Sequence, residues 1–216
     1  MSKPVLAYHF TDGYHLRDGQ PLEMGREYVF DGEPEMCVRG YHASRNVFDA
    51  LEYAPGATLS RVECREVTEE CDDKIVCRRR RVIATIDATK ILRRFARLCA
   101  FDVIHLWDAP EIVIRYLKTG DESIRDAARA AARDAANAAA RPAEWNAAMA
   151  AARSIGPRSI GRDAAMAAAR DAAMSAAMSA AWAAAWATAK DAARDAAMQG
   201  KRVRLARMVT QERGLQ

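Results

Sequence analysis

The sequence predicts an α+β chain: a small N-terminal mixed sheet domain followed by an Ala-rich antiparallel helical hairpin or bundle. Three observations lead there. Short alternating apolar runs, broken by Asp-Gly and Pro-Gly turns, fill residues 4–90. Alanine is concentrated, with 36 of the 47 alanines lying in the 71 residues from Ala127 to Ala197. Within that stretch the larger side chains recur every four residues, which is helical spacing. The boundaries follow as residues 1–87 for a mixed sheet domain, 88–120 for a helical connector and 121–216 for an Ala-rich helical domain.

The elements follow in order. The apolar run from Val5 to Phe10 is a strand that stops at Thr11-Asp-Gly13. Arg26 to Phe30 is a second strand, lying between turns at Asp18-Gly19 and Asp31-Gly32. Val47, Ala50, Leu51 and Ala54 share one helical face, Asn46 is placed to cap that helix, and Pro55-Gly56 ends it. Thr58 to Val67 alternates and reads as a strand, as does Lys74 to Ile86, which carries four consecutive arginines, Arg78 to Arg81. Alternation places their guanidiniums on both strand faces, and a solvated edge strand that blocks aggregation is the simplest reading.

The connector carries an apolar stripe of Ile91, Leu92, Phe95, Leu98 and Cys99, then a short helix from Ala109 to Leu117 with Pro110 in its first turn, closed by Gly120. Beyond Asp121 lie rows such as Arg125, Arg129, Arg133, Asn137 and Arg141. A strict four-residue row drifts by about 40° per step around an α-helix, so these helices keep no single wide apolar stripe. Pro142 opens the second Ala-rich helix, and the loop Ser154 to Gly161 separates it from a third running from about Asp163 to Gln199. Gly200 is expected to stop that helix, leaving a basic tail with Lys201, Arg202, Arg204 and Arg207.

Composition narrows the function classes. Lys and Arg number 33 against 29 Asp and Glu, for a net charge of +4. That is too mild for a dedicated nucleic-acid coat protein and leaves only a local basic patch. The five cysteines show no CxxC pair and the four histidines no metal-ligand spacing, so no metal is expected and the thiols are read as free in a reducing cytoplasm. Residues 1–20 carry charges without an apolar core, so no signal peptide is expected. Residues 172–189 lack charge, but Trp182 and Trp186 sit inside the stretch rather than at its ends, which argues against a membrane span. Met174, Met178, Trp182 and Trp186 form a row suited to an adaptable partner surface. The small residues around them permit close helix approach and hence self-association.

Two resemblances add expectations. Tyr8-His-Phe-Thr-Asp12, Leu16-Arg-Asp-Gly-Gln-Pro-Leu22, Cys37-Val-Arg-Gly-Tyr-His-Ala-Ser44 and Asp49-Ala-Leu-Glu-Tyr-Ala-Pro-Gly56 resemble a family of uncharacterised phage and prophage proteins with Ala-rich tails. That resemblance implies a mobile-element origin and an accessory or host-directed role; together with the long helical arm and the want of a catalytic glutamate, it leads to the expectation of a non-enzymatic protein in the cytoplasm of a bacterial host that binds a host or defence factor. Separately, Tyr8-His9-Phe10-Thr11 and Gly40-Tyr-His42-Ala-Ser44, followed by Asp49-Ala-Leu-Glu-Tyr53, are similar to segments of the ADP-ribosyltransferase superfamily. This implies a ligand such as NAD or another nucleotide, held by His9, Thr11, His42, Ser44 and Tyr53, with Arg78 and Arg80 receiving phosphate. The late strand carries arginines where that superfamily has its catalytic glutamate, so no catalytic residue is assigned. Its RNA 2′-phosphotransferase branch, which uses arginines and histidines, fits the basic strand better.

Overall fold

The computed structural model describes residues 3–16, 18–139, 141–155, 166–167, 169–174, 176 and 187–215. Two compact units divide the chain, Met1–Thr89 with Leu205–Gln216, and Lys90–Arg204. The fold is α+β, with a five-stranded antiparallel sheet first and helices after it.

In the first unit the strands are β1 (Val5–Thr11), β2 (Glu27–Val29), β3 (Tyr41–Ala43), β4 (Thr58–Glu70) and β5 (Ile75–Asp87). Their order is β1-β4-β5-β2, with β3 also paired to β5. The long β4–β5 hairpin turns at Cys71 to Lys74, where the Cys71 amide donates to the Lys74 carbonyl at 2.9 Å. Pairing sets His9 opposite Ser60 on β4, and His42 opposite Val76 on β5. An isolated bridge then joins the two ends of the sheet: Tyr8 and Ser44 exchange backbone hydrogen bonds of 2.8 and 2.9 Å. That bridge curls the sheet and brings the β1 tip beside the end of β3. Ala7, Tyr28, Tyr41, Val62, Cys64 and Cys77 form part of the buried core within the curl.

Helix α1 (Val47–Glu52) packs on β1. The Asn46 side chain caps it by accepting from the Phe48 amide at 2.8 Å, as its spacing predicts. Val47, Phe48 and Leu51 are fully buried, as are Phe10 and its register partner Leu59. Each such side chain contributes about 1.5–3 kcal/mol by leaving water. Two glycines answer to local space. At Gly40 φ is +96°, and a Cβ would lie 2.8 Å from the Pro34 side chain. At Gly56 a Cβ would come within 2.7 Å of the Thr11 carbonyl oxygen, so the Pro55-Gly56 turn presses directly on the end of β1.

The arginine strand is a correction. β5 is interior, paired with β4 on one side and with β2 and β3 on the other, so it is not a solvated edge. The reason lies in carboxylates supplied by other segments. Arg78 meets Glu33 at 2.6 Å, Arg79 meets Glu66 at 2.9 Å and Glu27 at 3.2 Å, and Arg81 Nε donates to the Gly25 carbonyl at 3.2 Å. Nor does simple alternation hold, because Cys77 and Arg80, three positions apart, are both buried. Opposite this segment Glu66 adopts φ 53°, an irregularity in the middle of β4.

In the second unit α2 (Thr89–Asp102) buries Leu92, Phe95 and Cys99, as its stripe predicts. Helix α3 (Glu111–Thr119) begins just after Pro110 and ends on Gly120 in the left-handed conformation, φ 68°. Helices α4 (Arg125–Ala138) and α5 (Pro142–Ser154) pack together, with Pro142 at the first turn of α5. Ala128, Ala132 and Ala136 on α4 and Ala147, Ala148 and Ala151 on α5 are buried. Helix α6 (Ala187–Thr210) passes straight through Gly200, which corrects the expected stop. Residues 201–210 are helical rather than a basic tail; Lys201, Leu205 and Val209 are buried, and Arg204 holds Asp102 through bonds of 2.6 and 3.0 Å. Residues 156–161 of the expected loop, and residues 163–165, 168, 175 and 177–186 of the expected third helix, lie outside the described residues. Among the described residues no helix is long and apolar enough to cross a membrane.

Candidate functional site

The curl of the sheet leaves an open cavity of about 740 Å³ in the first unit, at the meeting of β1, β3 and α1. The size suits a small-molecule site, as does the mixture of aromatic walls with a few polar groups. His9, Thr11, His42, Ser44, Tyr53 and Arg80 all line it. Arg78 does not line it; its guanidinium is committed to Glu33 and Glu66, which corrects the expectation of a phosphate contact there. Met174 is half-buried in the second unit, and Met178, Trp182 and Trp186 lie outside the described residues.

The Tyr8–Ser44 bridge explains why the two histidines meet. It aligns β1 against residues 41–44, so His9 faces the backbone of His42. The His9 imidazole is hydrogen-bonded to that backbone, and burial, reinforced by the Arg80 charge, holds its pKa well below the ordinary histidine value. His9 is therefore neutral at pH 7. The His42 ring is fixed from the other side, because Nε2 accepts the Cys37 amide N–H at 2.9 Å. That nitrogen carries a lone pair, not a proton.

Arg80 is 2% exposed. Its Nη1 donates to the His42 carbonyl at 3.0 Å, and its guanidinium stacks 4.9 Å from the Tyr41 ring centroid. Its Nε has no hydrogen-bond partner among the described residues. Burial lowers its pKa, but an arginine remains charged at neutral pH. This buried cation thus lies at the cavity wall, where it would attract an anionic ligand.

Tyr53 stands at the mouth, half-exposed. Its hydroxyl donates to Asp73 and accepts from Lys74 Nζ at 3.2 Å. The same ammonium lies 4.3 Å from the ring centroid, so one face of the phenol is already covered by a cation.

Two carboxylates, Asp12 and Asp18, also line the cavity. Both are held by donors of the protein itself. Asp12 Oδ1 accepts from the Tyr14 and His15 amides at 2.9 and 3.0 Å, bonds that hold its pKa below the usual range. Asp18 accepts from Gln20 and, at 3.1 Å, from the Tyr41 hydroxyl. No glutamate lines the cavity among the described residues. Sequence reasoning did not assign Asp12, Asp18, Cys37, Tyr41 or Lys74 to the site. Asp12 and Asp18 carry a local turn signal, whereas Cys37, in the turn closed by the Glu35–Arg39 bridge, and Lys74, in the β4–β5 turn, have no local pattern that announces the cavity. Among the described residues no group of His, Cys, Asp or Glu is placed to hold a metal ion.

Residues 5–94 match a family described as a domain of unknown function (DUF7666). That segment contains every residue that lines the cavity. No curated protein matches the chain, and no solved structure does.

Proposed function

We propose that the N-terminal unit is an ADP-ribosyltransferase-like domain that binds NAD or another nucleotide phosphate in this cavity. The carrying observation is the convergence of His9, His42, Tyr53 and Arg80 on one open pocket. Each group has a fitting task. Neutral His9 serves hydroxyls, the Tyr53 ring serves a planar ring, and Arg80 serves a phosphate. Binding is the proposed activity. Among the described residues no glutamate lines the cavity, and its two carboxylates, Asp12 and Asp18, accept hydrogen bonds from the protein itself.

Thermal melting with NAD, with ADP-ribose and with a short RNA bearing a 2′-phosphate tests this reading. A ligand present at about 100 times its Kd stabilises the folded state by about 2.7 kcal/mol. At least one of the three is expected to raise Tm in the wild type, and His9→Ala and Tyr53→Ala to reduce that rise. An identical response of wild type and both variants to all three ligands overturns it.

A second reading, a non-enzymatic phage-type protein in the bacterial cytoplasm, rests on the other resemblance. It would bind a host or defence factor through the Met/Trp row and self-associate through the Ala-rich helices. Its support is the sequence pattern of residues 163–199, and a light-scattering mass of 23.8 kDa at all concentrations would contradict the self-association.

A further inference from the structure

Helix α2 has two opposed faces. Leu92, Phe95, Ala96 and Cys99 are buried on one. Lys90, Arg93, Arg94 and Arg97 stand at i, i+3, i+4 and i+7, within about 100° of arc on the other. Lys90 and Arg94 are exposed, and Arg93 and Arg97 are half-buried. No Asp or Glu occurs from residue 88 to residue 101. The carboxylates around this face are engaged elsewhere. Asp87 accepts the Thr89 amide at 2.9 Å, and Asp102 holds Arg204 at 2.6 Å. Arg97 lies over Gly120, and the two acids that follow that glycine pair with other arginines, Asp121 with Arg115 at 3.3 Å and Glu122 with Arg125 at 3.8 Å. Among the described residues none of the four cations forms a salt bridge.

This placement runs against the electrostatics of the helix itself. Acids favour the start of a helix and cations its end. Helix α2 has Lys90 in its first turn, Arg93 just after it, and Asp102 as its last residue. An external polyanion lying along the face offsets that local cost. The surroundings carry the same sign: residues 90–204 hold 19 Lys and Arg against 12 Asp and Glu, and the rest of the chain 14 against 17. The mild overall charge thus conceals a cationic helical unit.

The chemistry of the face favours one polyanion over the others. A lipid surface takes an amphipathic helix by its apolar side, and that side of α2 is buried. A nucleic-acid single strand is held by rows of aromatic rings. On this side α2 has Phe101 alone, half-buried, with Lys118 Nζ 5.7 Å from its centroid. A duplex instead presents one charge per about 1.7 Å of its axis. Lys90 to Arg97 spans about 10 Å of helix, and three of the four cations are guanidiniums, which take phosphate oxygens in pairs.

We propose that the Lys90–Arg97 face of α2 binds the phosphate backbone of double-stranded nucleic acid without reading its sequence. No residue of the cavity takes part, so this stands or falls separately from the nucleotide reading.

Fluorescence anisotropy of the full chain with a labelled DNA duplex, at salt from about 50 to 200 mM, tests it. Four phosphate contacts predict a slope of log affinity on log salt of about −3.6, a loss of about 150-fold across that range. Arg93→Gln combined with Arg94→Gln is expected to bring the slope to about −1.8 and the loss to about 12-fold. As a control, Arg115→Gln combined with Arg141→Gln removes the same charge from arginines already paired with Asp121 and Glu144, and is expected to leave the slope unchanged. Unlabelled duplex is expected to compete better than the single strand, polyglutamate or phosphatidylserine vesicles. Should the Arg93/Arg94 variant fail to fold by circular dichroism, Lys90→Gln decides, with a slope shallower by about 0.9. Absence of duplex binding, a wild-type slope in the α2 variants, or an equal loss of slope in the control overturns the proposal. So does any of the three competitors matching the duplex.

Discussion

At His9, burial and a neighbouring guanidinium act in the same direction. Both push the imidazole toward its neutral form, and the hydrogen bond to the His42 backbone opposes them only in part. In the unfolded chain the same ring titrates near its ordinary value of about 6.5. Between that value and the depressed folded value the unfolded state binds more protons than the folded state. Stability is therefore complete above about pH 6.5 and is lost as pH falls below it. The slope from this one group is at most about 1.4 kcal/mol per pH unit. Urea denaturation across that window is expected to show a steeper loss in wild type than in His9→Gln, which cannot titrate. Superimposable pH profiles would contradict a half-buried His9 held neutral by its surroundings. Little of this was legible from the residue alone. A histidine at a strand end is commonplace, and its environment comes from Arg80, 71 positions away in the chain and brought close by pairing.

At the scale of elements, local signals succeeded where the local pattern also decides the structure. The alternation of β4, the Asn46 cap of α1 and the left-handed Gly120 all stand as their sequences predict. They failed where distant partners decide. The three-residue strand β3 is too short for a periodic signal, yet it carries His42. The arginine strand looked like an edge because its carboxylate partners are scattered over Glu27, Glu33 and Glu66. Gly200 looked like a stop because glycine so often ends helices, but the burial of Leu205 and Val209 beyond it favours continuing. Gly200 lies in helical backbone, and a Cβ there would meet nothing within 4 Å. Gly200→Ala is expected to stabilise the chain by about 0.5–1 kcal/mol, by restricting the unfolded state and improving helix propensity. Chemical denaturation checks it, and a loss of stability would place a bend or an unseen contact at that position.

For the whole molecule, the α+β division was legible because composition changes so sharply along the chain. Alanine buries little area per residue, so the Ala-rich helices gain stability from propensity and close packing. The sheet unit instead buries large side chains such as Phe10, Tyr28, Phe48 and Leu59. The candidate site belongs entirely to that unit, where Tyr8 and Ser44 of the closing bridge line the pocket beside the filled core. What the sequence could not supply was the curl itself, since one bridge between residues 36 positions apart creates it. The most direct measurement of the central claim is a titration with NAD, followed at the ring protons of the four histidines by NMR. His9, His42 and His15 line the cavity, and His105 lies in the other unit. The account predicts saturable shifts for His9 and His42 with His105 unmoved. Unmoved His9 and His42 at saturating ligand, or a shift confined to His105, would contradict it.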